Sequence, residues 1–530
     1  MPTRIYARPP ASAASPTPEL ESVESCLEDA PPYPGGKAEG VVRPASIDEV
    51  SACLRDARAI LPVGAQSSLT GGATPFGGVV LSTARLASTS LEADRVRVGA
   101  GVPLQVLQDE LLKTGRWFPP VPTYLGAFAG GAVATCAAGA ATFKYGTVRE
   151  WVDGLTIVLA GGDVLTLSRG EHVAGPDGAF EIETANGVRR VQIPDLRMPD
   201  VPKRSAGYFL APGMDLIDLF IGSEGTLGVI VQATFRTAPI PGGICRALVP
   251  VPTEQAAIAL TGELRAAAKQ TWRSGDPSGI DLAAIEHIDA RSIQVVREDG
   301  VDRKLDIELP IGTGVVLMID LELPGRTSDA DLWSQLEGAR DTTTADAPLV
   351  RFCRLLDSRG VLDDTEIALP KDRARAAVFA ELREAVPAGV NRRVALAKQR
   401  DAAVSKTAAD MIVPFDHFAG MMLECRRVFG KRGLDLAVWG HISDGNVHPN
   451  VIPRDAADVQ KGRDAILQLG RAVIAMGGCP LAEHGVGRNP IKQELLRQLY
   501  SEDGIRAMRA LKLSLDPHDS LASGVIFPTQ

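Results

Sequence analysis

The chain has 530 residues, 45% hydrophobic and 23% charged, with 56 Lys+Arg against 65 Asp+Glu and a formal net charge of −9. This is a globular composition, long enough for two or three cores at roughly 100–200 residues per domain, and its acidic surface argues against nucleic acid as a partner. The seven cysteines are widely spaced with no C-x-x-C, which excludes a disulfide framework or a Cys-rich zinc module and suits a reducing, cytoplasmic setting.

Residues 1–20 have no apolar signal-peptide core and read as a flexible Pro/Ala/Ser leader. Ser46-Ile47-Asp48-Glu49 is a capping box that predicts a helix to about Ala57. An apolar run from Ala59 to Val63, then Val79-Val80-Leu81 and Val96-Arg97-Val98, predict strands. Leucines at 104, 107, 111 and 112 predict a helix over 103–113, with Gly115 as its stop. The stretch from Trp117 to Phe143 holds three prolines and much Gly, Ala and Thr, so it reads as buried loop and strand and no transmembrane segment is expected. Leu155 to Leu159 and Val164-Leu165 flank a Gly-Gly-Asp turn and predict a hairpin. Beyond Pro239 to Gly243 glycine thins out, helices alternate with strands such as Gly314 to Leu321, and a main boundary is expected near residue 245.

Three glycine-dense loops precede that boundary: Gly64 to Gly72, Gly126 to Gly146 and Gly222 to Gly228. Glycine is placed where backbone must bend to positive φ or approach a ligand closely, and successive N–H groups in such turns form a concave anion site suited to a diphosphate. Neither G-x-G-x-x-G after a strand nor a P-loop occurs, so a Rossmann site and an NTPase are poorly supported.

Leu61-Pro62-Val63-Gly64 to Gly72, Gly130-Gly131-Ala132-Val133-Ala134 to Gly139, Lys144-Tyr145-Gly146, and Gly222 to Gly228 resemble the FAD-binding domain of the vanillyl-alcohol-oxidase (PCMH) type over residues 40–240. The resemblance implies FAD held without a covalent bond to the first loop, which has no histidine. It assigns the cofactor to Pro62, Gly64, Ala65, Gln66, Ser67, Ser68, Thr70 and Gly71. Further contacts fall on Pro122, Thr123, Gly130, Gly131, Val133, Cys136, Gly139, Tyr145 and Gly146, then Glu224, Gly225 and Gly228, and finally Asn446. Relatives commonly carry asparagines where this chain has Ala132 and Cys136, and glycines where it has Ala65 and Gln66.

The sharpest motif is Trp439-Gly440-His441-Ile442-Ser443-Asp444-Gly445-Asn446-Val447-His448-Pro449. A two-residue turn on Asp444-Gly445 predicts that Ser443 faces Asn446, Ile442 faces Val447 and His441 faces His448. Opposed Cβ atoms about 4.5–5.5 Å apart would let both imidazoles reach one metal ion. Glu483, in Ala482-Glu483-His484-Gly485-Val486-Gly487, can add an anionic third ligand, leaving His484 as a base beside an open metal position. A hydrogen-bonded polar pair and an ordinary turn are the plain alternatives.

These segments, with Leu515-Asp516-Pro517, resemble the C-terminal domain of FAD-linked 2-hydroxy-acid dehydrogenases, the group of D-lactate dehydrogenase, D-2-hydroxyglutarate dehydrogenase and the glycolate oxidase flavin subunit. The resemblance implies His441, His448 and Glu483 as ligands of zinc or manganese, His484 as the base, and Arg383 as the clamp on the substrate carboxylate. The relatives' nearby threonine falls on Pro387, their substrate lysine matches Lys406 only with shifted spacing, and Ala522-Ser523-Gly524-Val525 stands where they read Asn-Pro-Gly-Lys.

The expectation is therefore an α+β flavoprotein: leader 1–20, an FAD-binding domain of two subdomains over 21–245, a cap domain with an antiparallel sheet and helices over 246–504, and a segment 505–530 returning to the FAD domain. It would oxidise a small D-2-hydroxy acid and pass electrons to a quinone, a cytochrome or an electron-transfer flavoprotein. A cytoplasmic or peripheral membrane location and a homodimer are compatible with it. A metal-dependent hydrolase using the same His/His/Glu site, and a flavin-binding subunit without turnover, are the rival readings.

Overall fold

The computed structural model describes residues 2–529 apart from 11, 21–22, 31–32 and 57–58, and divides the chain into two units. The first comprises 1–139, 146–240 and 479–530; the second comprises 140–145 and 241–478.

In the first unit, Ile60–Val63 and Gly40–Val42 flank Val79–Ser82 in a parallel three-stranded sheet, against which the helix Ile47–Asp56 contributes Val50, Cys53 and Leu54 to the core. The Ser46 hydroxyl accepts from the Glu49 N–H at 3.2 Å, as the capping box requires. Ala57, the predicted helix end, lies outside the described residues. A second sheet of five antiparallel strands runs Thr89–Leu91, Arg95–Gly99, Val229–Arg236, Val152–Val158, Val164–Ser168. Its strands alternate, with Val96 and Val98 buried while Arg95 and Arg97 are exposed, the pattern of a sheet packed on one face. Val158, Val164, Val229 and Val231 of this sheet pack with Val50, Leu54, Ile60 and Leu81 in one core.

The second unit is built on one antiparallel sheet in the order Glu366–Ala368, Gly243–Val251, Val315–Leu323, Leu282–Asp289, Leu436–Gly440, Asn446–Val451, Thr407–Ala408, with Met411–Ile412 also on Asn446–Val451. The central strand Leu282–Asp289 is buried on both faces. Ile288 packs with Phe379 and Leu382 of the helix Arg373–Arg400, and His287 lies edge-on to Phe418. Pro387, inside that 28-residue helix, cannot donate to the Arg383 carbonyl four residues back.

Four expectations are corrected. Residues 1–20 are not a structureless leader: Thr3–Tyr6 is a strand parallel to Ala179–Thr184, and Ile5 is buried there. The boundary falls at 240/241 rather than 245/246. The chain rejoins the first unit at 479, well before 505. Residues 140–145 belong to the second unit, where Lys144 Nζ lies 2.6 Å from Asp281 Oδ2 and 2.5 Å from Glu322 Oε2, and the Tyr145 hydroxyl donates to Glu322 at 2.6 Å. That glycine-poor hexapeptide is held by charge pairing the sequence spacing does not reveal.

The returning C-terminal segment is tied by Asp516. Its buried carboxylate takes Lys512 Nζ at 2.9 Å, the Ser520 N–H at 3.0 Å and the Leu521 N–H at 2.8 Å. This turn sends Ser520–Ala522 alongside Ile60, whose N–H and C=O bond Ser520 and Ala522 at 2.8 Å each. Burial pushes the Asp516 pKa up, but Lys512 and the backbone donors outweigh it and hold it below the usual carboxylate value. A carboxyl depressed by folding stabilises above its unfolded pKa of about 4 and loses that contribution as pH falls through the lower folded value. Asp516→Ala is therefore expected to cost about 3 kcal/mol in denaturant unfolding at pH 7, and Asp516→Asn to flatten the native chain's loss of thermal stability below about pH 4.

Candidate functional site

In the first unit the three glycine loops interlock. A Cβ on Gly64 would stand 3.8 Å from the Gly131 Cα, while one on Gly131 would meet nothing within 4 Å, so the short helix Ala129–Ala134 leaves open room beside the first loop. Gly71 has φ +77° with the Tyr33 ring against it, and Ser68 Oγ accepts from the N–H groups of Thr70 and Gly72 at 3.2 and 3.3 Å. Gln66, also at positive φ, donates to the Cys26 carbonyl at 2.9 Å, tying the loop to an earlier segment. The third loop bonds the second: Gly222 N–H to Val133 O at 3.0 Å and Glu224 N–H to Ala134 O at 2.8 Å, with Cys136 Sγ 3.4 Å from Thr147 Oγ1. Several of these glycines serve packing. Gly225 abuts Pro62, Gly228 abuts Ile157 and Gly139 abuts the Val121 carbonyl. Pro122 and Thr123 follow in an irregular stretch, and Gly146 at φ +74° sits over Glu150. Backbone-lined room between glycine loops is the kind of cradle that a dinucleotide requires.

Glu224 is half-buried, and its two oxygens accept from the Val486 and Gly487 N–H groups at 2.8 Å each. Burial raises its pKa, opposed by those two donors and by Lys492. It thereby fixes the Glu483–Gly487 loop, in which Gly485 and Gly487 both have positive φ. A Cβ on Gly487 would strike Thr70 at 2.2 Å, so this loop lies directly on the first glycine loop. Within it, His484 Nε2 is 3.5 Å from Glu483 Oε1, and Glu483 Oε2 is 3.0 Å from Nζ of the fully buried Lys203.

In the second unit the hairpin forms with a different register. Trp439 pairs with His448 and Val438 with Pro449, because Ile442–Asp444 coil into one 3₁₀ turn instead of a two-residue turn. The His441 carbonyl accepts from the N–H groups of Asp444 and Asn446 at 3.0 and 3.2 Å, and Ser443 Oγ accepts from the Ile285 N–H at 3.1 Å. That link to a neighbouring strand selects the longer turn. Gly440 at φ +151° and Gly445 at φ +86° leave no room for a Cβ, which would lie 2.7 Å from Asn446 O and 2.2 Å from Val413 O respectively. His441 and His448 are brought together all the same, with ring centroids 5.6 Å apart at 87°.

Each imidazole has a carboxylate at its Nδ1. His441 Nδ1 lies 3.0 Å from Glu286 Oε2, and His448 Nδ1 lies 3.4 Å from Asp410 Oδ1. Asn446 donates to the same Asp410 oxygen at 3.1 Å and to the Met411 carbonyl at 3.0 Å, so its amide braces this pair. Arg383 Nε is 3.3 Å from Glu286 Oε1, and its Nη1 is 2.5 Å from Glu384 Oε1. Lys406 Nζ donates to Asn391 at 2.6 Å and stands over the Trp439 ring. Neither Nδ1 contact has hydrogen-bond geometry; with ligand atoms within 4.8 Å of one another, the two imidazoles are the donor chemistry that suits a divalent metal. Glu286, Asp410 and Lys203 were not among the predicted site residues. The available signal was a charged residue inside an otherwise apolar run, as in Leu282–Asp289.

Residues 38–168 match the family described as FAD binding domain, and residues 251–526 match FAD linked oxidases, C-terminal domain. The chain is similar to glycolate oxidase subunit GlcD of Bacillus subtilis, 26% identical over 94% of this chain and 91% of that one. It is similar to a D-lactate dehydrogenase of Archaeoglobus fulgidus (27%; 92% and 90% covered) and a D-2-hydroxyglutarate dehydrogenase of Xanthomonas citri (27%; 92% and 89% covered). Two solved structures of alkyldihydroxyacetonephosphate synthase share the fold at 15% identity, with TM-scores of 0.56 and 0.58 over 91% and 98% of this chain and 76% and 89% of theirs. Among the described residues no helix is long and apolar enough to cross a membrane.

Glu224→Gln places an amide N–H₂ against one of the two loop donors. A loss of about 1–3 kcal/mol is expected, with faster amide hydrogen exchange at Val486 and Gly487 than at core amides of the five-stranded sheet.

Proposed function

The chain belongs to the FAD-linked oxidases, and from that premise we propose that it oxidises a small D-2-hydroxy acid of the D-lactate, glycolate or D-2-hydroxyglutarate type to the 2-oxo acid. The activities for which its relatives are named support that substrate class. When bound, FAD supplies the hydride acceptor and a divalent cation, zinc or manganese, supplies a Lewis acid for the hydroxyl oxygen.

His441, His448 and Glu483 are assigned as the protein ligands of that cation. The observation that carries the assignment is the meeting of the two imidazoles of one hairpin, whose ligand atoms lie within 4.8 Å of one another. His484 is assigned as the base that removes the hydroxyl proton, so that negative charge develops on oxygen as the C2 hydride leaves. Arg383 is assigned to the substrate carboxylate, with Glu286 fixing its guanidinium. The flavin-facing contacts are assigned to the backbone of the three glycine loops. Electrons then leave to an external acceptor: a quinone, a cytochrome or an electron-transfer flavoprotein.

Anaerobic mixing with D- and L-2-hydroxy acids tests this reading. A yellow protein that one D-acid bleaches is expected, with bleaching lost on chelation and restored by Zn²⁺ or Mn²⁺. A colourless protein that FAD cannot reconstitute favours a metal-dependent hydrolase. A yellow protein that no acid reduces favours a flavin-binding subunit without turnover. His484→Ala is expected to keep its flavin absorbance while flavin reduction slows by about 10²-fold or more; undiminished reduction removes His484 from the chemistry.

A further inference from the structure

Residues 24–37 precede the stretch matched to the FAD binding domain, which begins at 38, yet their described part lies along the first glycine loop of the same unit. Gln66 Nε2 donates to the Cys26 carbonyl at 2.9 Å and to the Glu28 carbonyl at 3.3 Å. Thr74 Oγ1 donates to Asp29 Oδ1 at 2.7 Å, and both residues are buried. The Tyr33 ring stands on Gly71, where a Cβ would lie 2.7 Å from it, and the Tyr33 hydroxyl donates to the Arg488 carbonyl at 2.8 Å. The Lys37 N–H donates to the Pro75 carbonyl at 2.9 Å, and the Lys37 carbonyl accepts from the Gly77 N–H at 2.7 Å. The loop is therefore gripped along its length, from 66 to 77, by one earlier segment.

Gln66 shows that this grip has a cost. Its φ of +51° lies in the left-handed region, where a side chain is strained and glycine is the unstrained residue. What glutamine adds there is an amide whose N–H groups reach the carbonyls of residues 26 and 28. That amide, which the resemblance assigned to the cofactor, is spent on the tether. A glycine-rich loop has many shapes open to it, and a ligand that needs one of them must order the loop on binding. Holding the loop from outside removes part of that cost. Resting on the FAD reading above, we propose that residues 24–37 are a clasp on the flavin site: they hold Gln66, Gly71 and Thr74 so that the loop keeps the shape suited to the FAD diphosphate, and so slow the release of the flavin. Gln66 and Tyr33 act through the loop and are positioning residues.

The test uses the full-length, flavin-loaded chain. Release of FAD is followed by the rise of free-flavin fluorescence after dilution, and amide hydrogen exchange is measured on the same protein. Gln66→Gly suits the backbone and deletes the tether. It is expected to release FAD about 3- to 10-fold faster, with faster exchange at the Cys26 and Lys37 amides and native exchange in the five-stranded sheet. Release at the native rate overturns the clasp. Faster release with native exchange at Cys26 and Lys37 also overturns it, because Gln66 then acts on the flavin and not through the segment. Faster exchange that extends into the five-stranded sheet marks a general loss of stability and overturns it as well. Should Gln66→Gly fail to fold, Tyr33→Phe, which keeps the ring but deletes its hydrogen bond to Arg488, decides by the same two readouts. A native chain that takes up no FAD overturns the flavin reading, and this inference with it.

Discussion

An imidazole offers a metal only the nitrogen that its other nitrogen leaves available, so what stands at Nδ1 decides whether a histidine pair is a ligand set or a polar contact. In the second unit both Nδ1 atoms face carboxylates, and those carboxylates are themselves held: Glu286 by Arg383, Asp410 by the Asn446 amide. The eight-stranded sheet makes this arrangement available. Glu286 projects from a central strand whose neighbours in register include Gly440, the residue before His441, so the acid and the imidazole meet across adjacent strands. On its other side, a glycine at 440 lets its strand approach Asn446–Val451 closely, since any Cβ would press on residues 446 and 447.

The first unit solves a different problem, the assembly of a backbone-lined cradle from three loops distant in sequence. Glycine gives the loops their shape but adds no side-chain packing, and its entropy on unfolding works against them. Fixed polar contacts compensate. Ser68 organises the first loop, the carbonyls of Val133 and Ala134 bind the third to the second, and Glu224 clamps the Glu483–Gly487 loop onto the first through Gly487. The returning C-terminal segment completes this scaffold, because the Ile526 N–H donates to the Gly487 carbonyl at 2.8 Å and Arg488 Nη1 donates to the Ser523 carbonyl at 2.6 Å. Backbone acceptors near Ser523 thus close this segment on the unit.

Local signals were legible wherever local physics dominates. The Ser46 cap, the strands at 60–63, 79–82 and 95–99, the helix Leu104–Leu112, the hairpin of Val152–Val158 with Val164–Ser168, and the meeting of His441 with His448 all follow from periodicity, capping and glycine placement. What escaped was set by tertiary bonding. The Asp-Gly dipeptide at 444–445 favours a two-residue turn in isolation, but the Ser443 hydroxyl gains the backbone of Ile285, and burying Ile442 rewards the longer 3₁₀ turn. Thr3–Tyr6 reads as leader because a short, mostly polar strand acquires its order only from the hairpin edge it joins. Residues 140–145 carry no compositional mark of their own, and their attachment to the second unit depends on Asp281 and Glu322.

The same division runs through the candidate site. Apart from Arg383, the residues assigned to chemistry lie in two short motifs, 441–448 and 483–484, whereas the carboxylates beside the two imidazoles, Glu286 and Asp410, come from far along the chain. A motif can thus specify what a site offers without specifying whether it is aimed. Each orienting group carries a charge in an enclosed place, where loss of one partner strands the other and costs far more than the pair contributes by itself. Such pairs are poor devices for raw stability, and an apolar substitute of similar volume commonly does as well. Their physical advantage is restricted direction, since a charge facing a fixed opposite charge has fewer orientations open to it. On the proposed reading the charges at 286 and 410 serve the reaction, while those at 224 and 516, spent largely on backbone N–H groups, serve the fold.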